Sequence, residues 1–241
     1  MKNISIFLWL LASFNTAFGQ TNAVDIIKKV NDAYGQNQAM MMTARYDLFV
    51  NYATTTVYES KQGVMKKEKA QLSYKIGDME RFENKKLKII ANHEEKLLIV
   101  QPNLDTDDGK GYNMDPELQK ILALTDNVQL EDKGTYWLLS MPLGLDDIER
   151  VNMSVEKNTY FISKAIIYYR NPVRLDMENK DMLEEKPRLE ITYKADISPK
   201  FAKNDLSQDY YIRSSGGKKI QLSDQFKNYE LVNYCDKPKN Q

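Results

Sequence analysis

The 241-residue sequence predicts an α+β fold: one large, mostly antiparallel sheet carrying an N-terminal helix and one inserted helix. Three observations predict it. Apolar residues recur at helical spacing up to residue 38 and at every second position from residue 40. The strand-like runs that follow are joined by links of two to four residues, too short for helical crossovers. A proline-led apolar stripe after Asp115 then interrupts the strands.

The first helix spans Asn22 to Gln38. Asn22 or Thr21 can cap it, Val24, Ile27, Val30 and Tyr34 form its stripe, Ile26 and Ala33 widen that stripe, and Gly35 ends it. A long strand follows, with Met40, Met42, Ala44, Tyr46, Leu48, Val50 and Tyr52 on one side. Further strands are expected at Thr55–Lys61, Val64–Ile76, Met79–Asn84, Leu87–Ala91 and Lys96–Gln101, with Gln62-Gly63 as a hairpin turn. Pro102 to Asp115 reads as a polar loop. Asp115 then caps a helix whose stripe is Leu118, Ile121, Leu122 and Leu124. Strands resume at Thr135–Met141, Ile148–Glu156, Tyr160–Arg170 and Leu189–Ile197, with a charged excursion over 171–188, a turn at Ser214–Gly217 and a last strand around Tyr229–Tyr234.

Residues 1–19 read as a secretory signal peptide: Lys2, an apolar run from Ile4 to Ala12, and Ala17-Phe18-Gly19 as small-residue cleavage site. The run falls short of the about 20 apolar residues that span a bilayer. Gln20 follows the cut, where an acylated lipoprotein needs Cys. The expectation is an exported protein, periplasmic or otherwise extracytoplasmic, soluble after cleavage, with residues 20–241 as a single domain. No repeat and no Gly/Ser/Pro linker divides it.

Composition narrows the function. Lys+Arg and Asp+Glu are 34 each, and loss of Lys2 with the signal leaves 33 against 34, so no global field steers the chain toward nucleic acid. Cys235 alone allows no internal disulfide and reads as a small residue ending the last strand. His93 alone allows no two-histidine metal site, and it reads as a solvated turn residue beside Glu94 and Glu95. Asp105, Asp107 and Asp108 miss the EF-hand register, whose glycine and glutamate positions fall on Lys110 and Pro116, leaving a solvated acidic loop or an irregular calcium site. No catalytic residue, metal ligand or cofactor is expected.

The positive signal lies in strands that are apolar on both faces. Trp137, Leu139 and Met141 oppose Tyr136 and Leu138, while Ile162, Ile166 and Tyr168 oppose Ala165, Ile167 and Tyr169. One face packs on helices. The second needs either another layer of protein or an apolar ligand, and Met40-Met41-Met42 and the 15 tyrosines suit an adaptable cavity.

The signal peptide, the N-terminal helix, the long strand with Tyr46, the Gly63–Ile76 hairpin and the segment ANHEEKLLIVQP from Ala91 to Pro102 together resemble the LolA-type periplasmic lipoprotein carriers and the lipoprotein-sorting superfamily around them. The resemblance covers roughly residues 22–200. It implies an incomplete, half β-barrel of antiparallel strands closed by helices, an inner apolar face that holds acyl chains, and no catalytic residue. The expected function is a non-enzymatic lipid or lipoprotein acyl-chain carrier of the cell envelope, with a lipid or acylated protein as partner and an envelope protein as a further one. Its alternative is a protein-interaction module with a filled core and no ligand. The cavity is expected to be lined by Met42, Tyr46, Leu48, Tyr74, Leu98, Val100, Trp137 and Leu139.

Overall fold

A computed structural model of the chain describes residues 22–37, 39–103, 127–143, 147–173, 185–202, 205–215 and 219–235. The expected signal peptide, the acidic loop at 105–108, the helix after Asp115 and the centre of the 171–188 excursion lie outside these residues.

Helix α1 (Ala23–Gln36) starts where Asn22 accepts the Asp25 amide at 2.8 Å and buries Ile26, Val30 and Tyr34. Val24, expected in its stripe, is 71% exposed, because the buried arc centres on Ile26 and Val30. Asn37 caps the C-terminal end in place of Gly35.

Strand β1 (Ala39–Phe49) ends earlier than the alternation predicts. It is flanked on one side by β2 (Glu59–Glu68) and on the other by β11 (Arg188–Asp196). The Gln62-Gly63 turn does not form. Gly63 sits inside β2 opposite Ala44 and Ile76, where an added Cβ would lie 2.9 Å from Ile76 Cγ1 and 3.0 Å from Tyr46 Cε2. Close approach, not chain reversal, calls for glycine there. The reversal falls at Lys69, in the left-handed region at φ 53°, before β3 (Gln71–Ile76).

The meander continues through β4 (Met79–Glu83), β5 (Leu87–Asn92) and β6 (Leu97–Pro102). On the other side of β1 come β7 (Gln129–Asp132), β8 (Tyr136–Pro142), β9 (Ile148–Glu156) and β10 (Ile162–Tyr169). Strand β7 carries a single apolar residue, Leu130, and its pattern is too polar to announce a strand. A separate hairpin joins β12 (Ile212–Ser215) to β13 (Lys219–Leu222) across the expected Ser214–Gly217 turn. Strand β14 (Glu230–Asn233) joins the main sheet beside β6 and runs parallel to it, the one departure from the antiparallel reading among the described residues.

The order is β14-β6-β5-β4-β3-β2-β1-β11-β10-β9-β8-β7, an open sheet whose edge strands β14 and β7 do not pair with each other. Among the described residues α1 is the one α-helix, so a barrel closed by several helices is not seen in them. Two cores form on opposite faces. On the helix face, α1 packs with Met40, Met42, Met65, Leu139, Met141, Met153, Ala165 and Ile191 from β1, β2 and β8–β11. On the other, tail face, Phe82, Ile89, Ala91, Leu98 and Val100 from β4–β6 pack with Tyr211, Ile212 and Phe226 of the chain's tail.

Candidate functional site

Register decides which side chains share a face, because paired residues on neighbouring strands point the same way. Met42, Met65, Tyr74, Arg81, Ile90, Ile99 and Val232 form one row across seven strands of the helix face. A second row joins Tyr46, Ile191, Ala165, Met153, Leu139 and Leu130. Of the eight residues expected to line a cavity, Met42, Tyr46, Leu48, Tyr74, Trp137 and Leu139 therefore share the helix face. Leu98 and Val100 lie on the tail face, fully buried beneath Tyr211 and Phe226.

Burial divides the six further. Met42 and Leu139 are deep in the core, while Tyr46, Leu48, Tyr74 and Trp137 are half-buried. Tyr46 and Tyr74 join hydroxyls at 2.8 Å, which leaves their ring faces as an apolar surface with a satisfied polar tip. Beyond Arg81 the row is apolar and half-buried at Ile90, Ile99 and Val232. Trp137 carries the Lys157 ammonium 4.2 Å from its ring centre.

Lys67, Arg81, Glu83 and Lys88 place charge among the apolar side chains of this face, and strand alternation alone did not mark them out. Lys67 is 3% exposed and donates to the Tyr34 carbonyl at 3.0 Å, so a cation meets the C-terminal end of α1. Burial pushes its pKa below the usual lysine value. Arg81, inside the apolar row, pairs with the carboxylate of Glu83, whose Oε1 lies 3.5 Å from Lys88 Nζ. Glu83 is fully buried, and its Oε2 accepts no hydrogen bond among the described residues.

The tail face carries the polar surprise. His93 is not a free turn residue: Nε2 lies 3.0 Å from Glu80 Oε2 and Nδ1 2.7 Å from the Tyr229 hydroxyl. Since the carboxylate only accepts, His93 donates to it through Nε2. Tyr211 donates to the other Glu80 oxygen at 2.8 Å, and burial together with that carboxylate drives its phenol pKa far above the ordinary value. The network ties β4 and the β5–β6 turn to the tail, a long-range arrangement that one turn histidine ahead of two glutamates does not disclose. Next to it Val64, Lys66, Ser73, Lys75, Glu80, Asp205, Tyr210 and Tyr211 outline a pocket of about 280 Å³. Among the described residues no group of three or more His, Cys, Asp or Glu is placed to hold a metal ion. None of their helices is long and apolar enough to cross a membrane.

No family model and no curated protein matches the sequence. Solved structures do resemble the fold. An uncharacterized conserved protein from Thermus thermophilus is 9% identical with a TM-score of 0.43, over 86% of this chain and 98% of its own. A chain of the Pseudomonas aeruginosa MucA/MucB complex is 11% identical with a TM-score of 0.35, over 84% of this chain and 63% of its own. A LolA superfamily protein from Nitrosomonas europaea is 9% identical with a TM-score of 0.35, over 79% of this chain and 99% of its own.

Proposed function

We propose that the protein is an exported, non-enzymatic carrier of lipid or lipoprotein acyl chains, residues 20–241 acting as one domain of the incomplete-barrel kind. The observation that carries the reading is the apolar row of the helix face, interrupted once by the paired Arg81. It begins under α1 at Met42 and Met65 and continues, half-buried, through Tyr74, Ile90 and Ile99. An acyl chain laid along that row gains roughly 25 cal/mol per Å² of apolar surface removed from water, before ordering costs. Five methionines in the adjoining core, Met40, Met42, Met65, Met141 and Met153, give that floor side chains that re-pack around varied shapes. The site so proposed keeps Met42, Tyr46, Leu48, Tyr74, Trp137 and Leu139 and leaves Leu98 and Val100 to the opposite core.

A second reading has its own support. The chain's tail already fills one sheet face, and Leu139, Met141 and Val151 are fully buried. That suits a filled-core interaction module. Native mass spectrometry of protein purified without detergent, followed by organic extraction, separates the two. The carrier predicts co-purifying lipid, and uptake of an apolar fluorescent probe that quenches Trp137, the one indole outside residues 1–19. Neither lipid nor uptake leaves the interaction module.

A further inference from the structure

The pocket on the tail face is separated from the acyl row by the thickness of the sheet, and its chemistry differs. Lys66, Lys75, Glu80 and Asp205 line it, so its formal charges cancel. An anion entering it meets two carboxylates, and a cation meets two ammonium groups. An apolar ligand desolvates all four without compensation. These costs leave a neutral, polar ligand.

Most of the lining is already committed. Lys66 pairs with Asp205 at 2.9 Å, and Glu80 takes the Tyr211 hydroxyl and His93. Two groups are uncommitted: the Lys75 ammonium and the Tyr210 hydroxyl make no hydrogen bond or ion pair among the described residues. Tyr210 is also held in place. It ends a 3-10 turn started by Ser207, whose side chain accepts the Asp209 amide, and its own carbonyl accepts the Ser223 hydroxyl at 2.6 Å. Its ring packs edge-on against Tyr211 and Phe226. A half-buried aromatic face, fixed in position, stands beside a mixed set of donors and acceptors. Groups that both donate and accept, and that are carried on a ring with C–H faces, match that set.

We infer that this pocket binds a neutral polyhydroxylated ligand, a sugar residue, stacked on Tyr210 and hydrogen-bonded through the Lys75 ammonium and the Tyr210 hydroxyl. The site is independent of the acyl row.

The test is titration of the full protein by calorimetry and saturation-transfer NMR with methyl glucoside, N-acetylglucosamine, maltose and cellobiose, with glucuronate, glucosamine and inorganic phosphate as charged probes. At least one neutral sugar is expected to saturate, and its affinity to fall tenfold or more in Tyr210→Ala and in Lys75→Gln. Lys75 is exposed, so its variant keeps the fold and serves if Tyr210→Ala loosens the tail. Apolar-probe uptake is expected to be unchanged in both. Failure of every neutral sugar to saturate at millimolar concentration overturns the inference, as does binding that survives both substitutions. Tighter binding of phosphate, glucuronate or glucosamine than of the neutral sugars overturns it too, by making the pocket ionic.

Discussion

The helix face and the tail face of the sheet are both apolar, yet they are covered in different ways. The helix face is covered by an amphipathic helix that contributes three fully buried side chains and is itself anchored by Asn22 at one end and Lys67 near the other. The tail face is covered by an irregular segment with seven aromatic contacts among Tyr210, Tyr211, Phe226, Tyr229, Phe82 and His93, and by the hydrogen bonds around Glu80. The first core holds five buried methionines and the second none, while the tail covers the second with aromatic rings. Aromatic rings of fixed shape favour one packing arrangement, whereas thioethers accept several. On the proposed function, the face with the methionines is the one that admits a ligand and the face under the rings is the one that stays shut.

The most severe way to break this contrast is Phe82→Ala. A fully buried ring lost from the tail core costs about 3–5 kcal/mol, and hydrogen exchange should show the amides of residues 206–229 released first, with apolar-probe uptake retained. Leu139→Ala acts on the other core and should cost about 2–5 kcal/mol in denaturant unfolding while altering probe uptake as well. If both variants affect uptake equally, the two faces are not functionally distinct.

The sequence was legible where one face dominates. Alternation placed β5, β6 and β8–β11 to within two residues, and Asn22 announced α1. Gly63 misled because a glycine can mark a turn or a close approach, and only the partner strands, with Tyr46 and Ile76 where a Cβ would stand, tell which. Period two cannot say which face points inward, so Leu98 and Val100 were grouped with residues on the far side of the sheet. Nor can it reveal that His93 bonds Tyr229, 136 residues away.

Overpacking sharpens the comparison at intermediate size. Gly63→Ala pushes a methyl group onto Tyr46 and Ile76 and should lower stability by about 1–3 kcal/mol while disturbing the helix face alone. Alkaline pH probes the tail instead. Tyr211 has a folded pKa raised above its unfolded value near 10, so its contribution is intact below pH 10 and lost as pH rises through and above it. Chemical denaturation repeated at stepwise higher pH should show stability falling by up to about 1.4 kcal/mol per pH unit from this residue, and Tyr211→Phe should flatten that slope. The smallest effect is expected from Asn22→Ala, about 1 kcal/mol from the lost cap, read as faster apolar-probe exchange at the helix face.

Strand β14 has a consequence for how the chain is made. Its partner β6 is synthesised more than a hundred residues earlier, and a parallel neighbour cannot be supplied by a tight hairpin. Until residues 230–233 arrive, the outer edge of β6 stays open, with apolar side chains at Leu97, Leu98, Ile99 and Val100 beside unpaired backbone. Such an edge recruits other strands. The last addition to the sheet is thus a seal against self-association, and a nascent or truncated chain lacking it is the form most in need of a chaperone.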